Sequence, residues 1–153
     1  MAIAGGAATL TGLIFVGVSI NLTKILSMST MPSRALITMI LLLLVLVLAV
    51  LFLVPEQSIN ALGTEVLSLS FIVWLFVTQK DFASVPIAGS KYRSYYILNM
   101  VLDQIAIIPY FIGGIAILID GNNFGVHWIV PAIAFSFIKA VIDAWILLVE
   151  INR

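Results

Sequence analysis

Cysteine is absent, histidine occurs once, and charge is scarce: Asp, Glu, Lys and Arg make up 9% of the 153 residues, where a soluble domain carries about 25%. Without cysteine there can be no disulfide and no thiolate metal site, so a metal would need carboxylates and His127 alone. Seven basic residues balance seven acidic ones with no basic run, which removes the electrostatic footprint that nucleic-acid binding requires. Enzyme signatures are missing as well. There is no H-E-x-x-H, no G-x-S-x-G around a serine, and no pair of aspartates in a glycine-rich setting. "LIDGNN" is an Asp-Gly turn without the alternating oxygen ligands of a calcium loop. The expectation is a protein that is not an enzyme and uses no cofactor or metal.

What is abundant is apolar sequence, 63% of the chain with a mean hydropathy of +1.24. A bilayer core of ~30 Å needs about 20 helical residues per crossing. Five runs meet that length, at about 2–22, 35–54, 59–78, 95–119 and 126–149, and predict an all-α polytopic bundle occupying residues 1–153 as a single integral membrane domain. The second run, "ALITMILLLLVLVLAVLFLV", carries no charge and is expected to face lipid. Pro55 stops it. "QKDFASVPIAGSKYRS", from Gln79 to Ser94, is polar and broken by Gly and Pro, so it reads as a loop. Lys24 and Arg34 flank the first loop; Lys80, Lys91 and Arg93 lie in the third, and Arg153 ends the chain. The positive-inside rule then predicts an external N-terminus and a cytoplasmic C-terminus, with all six of these cations on one side. Tyr95, Tyr96 and Trp128 fall at span ends, where amphipathic rings prefer the interface.

Small residues mark candidate helix contacts: Gly5, Ala8, Gly12 and Gly17 on the first span, Gly113 and Gly114 on the fourth. The first set is expected to admit a close contact, within the chain or with a second subunit. Pro109 and the glycine pair invite a kink or local unwinding. The first span, "GGAATLTGLIFVGVSINL", followed by "RALITMILLLLVLVLAVLFLVPEQ", resembles a group of small prokaryotic integral membrane proteins of unassigned function. That resemblance covers about the first third of the chain, implies the cytoplasmic (inner) membrane of a prokaryote, and carries over no functional residue.

Charge inside the last three spans is the remaining signal. Lys139 and Asp143 are four apart and share a helix face. Helical rise places Lys139 ~15 Å, Asp143 ~9 Å and Asp103 ~12 Å from the predicted cytoplasmic surface, so the three can meet in one layer with a formal charge of minus one. Asn99, Asp103 and Tyr110 form a polar stripe that Ser136 and Lys139 continue on the next span. Glu65 lies near the outer end of the third span, and His127 beside Trp128 reads as a solvated interfacial residue. Intramembrane ionisable groups commonly mark ion or proton paths. The leading expectation is therefore a homo-oligomeric channel or transporter-like protein. It would conduct or couple a small cation or proton through Asp103, Lys139, Asp143, Glu65 and Asn99, with the lipid bilayer as its surroundings and another membrane protein as a candidate partner. The alternative is a non-transporting accessory or scaffold subunit whose buried charges set helix packing.

Overall fold

The computed structural model describes residues 1–27, 31–84, 89–120 and 125–151, with side chains described over 1–27, 31–84, 93–119 and 125–147. The described chain is helical: α1 (Ala2–Ile20), α2 (Leu22–Ser27), α3 (Met31–Leu51), α4 (Ile59–Ser84), α5 (Gly89–Asp120) and α6 (Val126–Ile151). All but α2 are long and apolar enough to cross a membrane, the mark of a multi-pass membrane protein. The "LIDGNN" turn after Asp120, the centre of the third loop and Arg153 lie outside the described residues.

Local chemistry explains the helices. Hydrocarbon offers no hydrogen bonds, so polar side chains on a span must find partners inside the protein. Thr9, Thr11 and Ser19 on α1, Thr64 and Ser70 on α4, each donate to the carbonyl four residues back. α1 ends at Asn21, which leaves helical geometry at φ −107, ψ 20. α3 starts at Met31 rather than at the expected Ala35, because Pro32 is tolerated in a first turn where its missing N–H has no partner to lose. Ser58 caps α4 through its hydroxyl to Ala61 N, 3.3 Å. Nothing from Thr78 to Ser84 breaks the helix, so α4 absorbs the first six residues of the expected loop, and α5 absorbs the last six. Pro109 sits within α5, which stays α-helical throughout and shows no unwinding.

Consecutive long helices run antiparallel. α4 packs along α5, α5 along α6, and α1 along α3, while α3 also touches α2, α4 and α6. This corrects the expectation that the Leu/Val-rich second span faces lipid: half of its apolar window is buried, against 11% for α1. The reason is physical. Lipid tails are as apolar as leucine, so hydrophobicity cannot tell a central helix from a peripheral one. Leu41, Leu42, Val45 and Leu48 of α3 are fully enclosed.

Away from α2, glycines bring α4, α5 and the start of α6 together. A Cβ on Gly114 would lie 3.2 Å from Leu67 N and 3.3 Å from its Cα, and one on Gly113 would lie 2.8 Å from Ile129 Cγ1. Gly63 and Gly125 are equally tight against Ile117. The obstacle at Gly114 is helix backbone, which cannot rotate away, so Gly114→Val should force α4 and α5 apart. Overpacking of this kind costs about 1–3 kcal/mol. The expected result is a thermal midpoint several degrees lower in detergent micelles, with Gly114→Ala falling between; a Gly114→Val protein melting with the wild type would contradict the contact.

Gly5, Ala8 and Gly12 behave differently. They are exposed, and a Cβ on Gly5 or Gly12 would meet nothing within 4 Å. α1 instead meets the bundle through Ala7, Leu10, Ile14 and Val18. The close contact within the chain is therefore absent at these positions, and the small-residue face points outward.

Candidate functional site

At the end of the bundle nearest α2, three helices direct polar side chains inward. α5 supplies Tyr95, Asn99 and Asp103, spaced by four and thus stacked on one face. α6 supplies Ser136, Lys139 and Asp143, and α3 supplies Arg34 and Thr38. Arg34, Asp103, Lys139 and Asp143 are all 4% exposed or less.

These groups close into a ring. Arg34 Nη2 donates to Asn99 Oδ1 at 3.1 Å and to Asp143 Oδ1 at 3.0 Å. Asn99 Nδ2 donates to Asp103 Oδ2 at 3.1 Å. Lys139 Nζ lies 3.0 Å from Asp103 Oδ1 and also donates to Asp143 Oδ2, which returns the circuit to Arg34. Thr38 Oγ1 is within reach of Asp143 Oδ2, 2.8 Å, and of the Arg34 carbonyl, 3.0 Å; its single proton serves one at a time. On the outer side Arg34 Nη1 donates to Tyr95 Oη at 3.0 Å, and the guanidinium lies 5.1 Å from the Tyr95 ring centroid. On the inner side the buried Tyr110 and Ser136 hydroxyls pair at 3.1 Å. Beyond them Ala7, Leu44, Leu48, Val66, Ile117 and Ile129 form an apolar core.

The structure brings together Asp103, Lys139, Asp143 and Asn99, four of the residues proposed from sequence. It adds Arg34, expected to flank a loop, and so supplies the second cation. Two carboxylates and two cations leave the ring itself neutral rather than at minus one. Asp81 then reopens the balance. This residue was expected in the third loop but is 6% exposed on α4, within electrostatic range of Asp103, Lys139, Asp143 and Arg34. Its Oδ2 has no hydrogen-bond partner among the described residues. Counting Asp81, three carboxylates face two cations among the described side chains.

Glu65 is not part of this assembly. It lies 16 residues before Asp81 on α4, ~24 Å along the axis, and its carboxylate accepts a hydrogen bond from Gln57 Nε2. His127 is exposed at the start of α6. Gln104 makes a separate bridge between α4 and α5, accepting from Trp74 Nε1 at 2.8 Å and donating to Thr78 Oγ1 at 3.2 Å. Among the described residues no three His, Cys, Asp or Glu side chains converge as a metal site.

Two signals could have found the added members. Arg34 and Thr38 are four apart, which makes one polar face on an otherwise apolar helix once that helix starts before Arg34. The segment Thr78 to Ser84 contains neither Gly nor Pro, so an extended α4 carries Asp81 on its inner side.

Fold and site together define a five-span α-helical membrane protein with a charged network buried among its helices. No protein-family model matches the chain, and comparison with curated proteins and with solved structures returns no match.

Proposed function

We propose that this protein couples or conducts protons through the ring, as a small homo-oligomeric membrane transporter or channel and not as an enzyme. The observation that carries the reading is the charge balance among the described side chains: Asp81, Asp103 and Asp143 against Arg34 and Lys139, in a site with almost no exposure. A charge buried in a membrane helix without compensation costs about 2.5–3.5 kcal/mol on insertion scales. One proton or small cation removes the excess. A proton is favoured over a metal cation because the carboxylates sit in a hydrogen-bonded circuit and do not converge on one point.

In this reading Asp103 is the titrating group, Lys139 its counter-ion, and Asp143 the residue that holds Lys139 and Arg34. Asp81 exchanges the proton with the nearer membrane surface, and Glu65 attracts cations at the opposite mouth. Apolar packing between Tyr110 and Glu65 means that passage within one chain requires α4, α5 and α6 to part there. By the positive-inside rule the ring lies toward the cytoplasm of a prokaryotic cell. The outward face of Gly5, Ala8 and Gly12 offers a surface for self-association.

One feature of the geometry favours a second reading, an accessory subunit whose ring merely sets helix register: most polar atoms of the ring are already paired. Proteoliposomes containing a pH-sensitive dye distinguish the two, under imposed potassium or sodium gradients. Wild-type protein should acidify or alkalinise the lumen according to the sign of the potential. Asp103→Asn should reduce that flux at least tenfold and Asp81→Asn should reduce it measurably, in protein that assembles normally. Wild-type vesicles without proton flux under any gradient would decide for the accessory role.

A further inference from the structure

Inward of Asp103 and Lys139 lie the hydroxyls of Tyr110 and Ser136, 3.1 Å apart on two fully buried residues. Tyr110 follows Asp103 by seven and shares its face of α5; Ser136 precedes Lys139 by three, ~4.5 Å along α6. An aromatic side chain on a helix leans toward the N-terminus, which for Tyr110 is the Asp103 side. The pair thus sits about one turn from the ring, with Val66, Ile117 and Ile129 of the apolar core beyond it. Packing alone asks for neither hydroxyl. Phe and Ala would fill the same space, and a matched pair of buried polar groups can give way to apolar groups of like shape at little cost in stability.

The hydrogen bonding of the pair is incomplete. Two hydroxyls carry two protons but share one bond, and neither makes another among the described residues. One proton therefore has no acceptor. In the ring Asp103 Oδ1 shows the converse: it lies 3.0 Å from Lys139 Nζ yet accepts no aligned hydrogen bond among the described residues. A donor and an acceptor, each short of a partner, occupy one side of α5 within two turns.

We propose that Tyr110 and Ser136 relay the proton between Asp103 and the apolar seal, an inference that rests on proton coupling through the ring. One water bridges the remaining turn with two hydrogen bonds of about 2.8 Å each. When the helices part at the seal, hydronium from the Glu65 side gives a proton to one hydroxyl lone pair. That hydroxyl passes its own proton to its partner, the partner passes one to the bridging water, and the water passes one to the Asp103 carboxylate, which becomes neutral. Each relaying oxygen gains one O–H bond and loses another, so none keeps a charge, and rotation of the hydroxyls resets the pair. Two hydroxyls cannot replace the hydration shell of a metal cation. The same pair thereby makes the path selective for protons.

The test compares the full-length wild type with Asp103→Asn, Tyr110→Phe, Ser136→Ala and the Tyr110→Phe, Ser136→Ala double variant. Proton flux is read in proteoliposomes with an internal pH-sensitive dye and an imposed potassium gradient, and thermal unfolding in detergent is followed on the same preparations. Each single variant should lower the flux by about tenfold or more. The double variant leaves no buried hydroxyl unpaired, so it should melt with the wild type and yet stay blocked. A pair that only locks α5 to α6 gives the opposite pattern, with flux returning alongside stability. Flux in the double variant within about twofold of the wild type, with Asp103→Asn still blocked, would overturn the relay and leave Asp103 as the proton carrier. A wild type without flux would instead remove proton coupling itself, and the relay with it. Should Tyr110→Phe fail to assemble, Ser136→Ala removes the partner oxygen from α6 and decides by the same flux.

Discussion

Arg34→Ala should destabilise the bundle by about 3–5 kcal/mol, the usual loss when one partner of a buried ion pair is removed. Arg34 is the only ring member on α3, apart from the Thr38 hydroxyl, and its guanidinium reaches Tyr95 and Asn99 on α5 and Asp143 on α6. Its removal leaves Asn99 Oδ1 and Asp143 Oδ1 without those donors, and leaves Lys139 as the one cation among the described residues that bonds Asp103 and Asp143. Uncompensated negative charge then remains where water cannot reach it. Arg34→Lys should fall between the two. Its ammonium keeps the charge but cannot span three acceptors in the planar fork geometry of a guanidinium. The measurement is unfolding in mixed micelles under increasing denaturing detergent, followed by helicity and by Trp fluorescence. An Arg34→Ala protein that unfolds with the wild type would show that α3 is held by its leucines alone.

That prediction depends on a residue that sequence reading assigned to a loop, and the reason bears on what is legible in such a chain. Hydropathy and length located all five spans, because the bilayer imposes one number on every crossing helix. The i,i+4 spacing placed Lys139 with Asp143 and Asn99 with Asp103, because helical periodicity is local. The contact of α5 with α6 through Lys139 and Asp103 was also within reach, since rise along each helix gives a common depth. Two things were not legible. Helix ends were drawn where apolar sequence ends, but buried polar residues extend a helix past that point, and both Arg34 and Asp81 lie in such extensions. Which face of a uniformly apolar helix meets protein is likewise hidden when lipid and protein interior have the same polarity. Sequence therefore puts α3 outside, and it does not tell that within the chain α1 packs through Ala7 and Ile14 rather than through its exposed glycines.

Lys139→Met carries the second large effect, and its companion variants separate the two functional readings. Lys139 Nζ is 3.0 Å from Asp103 and is also bonded to Asp143, so its loss leaves Asp103 with the neutral Asn99 amide and no cation, and leaves Asp143 to Arg34. A cost of about 3–5 kcal/mol is expected, as for Arg34. Asp103→Asn alone should be milder, because the amide keeps the shape and can still face Asn99 and Lys139. The double variant is the informative one. With Lys139 and Asp103 both neutral, Arg34 and Asp143 remain a matched pair, and removal of a whole ion pair is often close to neutral for stability. The Lys139→Met, Asp103→Asn protein should therefore recover most of the stability lost in Lys139→Met, a coupling that a double-mutant cycle measures directly. If the ring is only a lock, the recovered protein should also recover wild-type behaviour in vesicles. If Asp103 carries the proton, stability returns while proton flux does not, since the stable variant lacks the group that must gain and lose the proton.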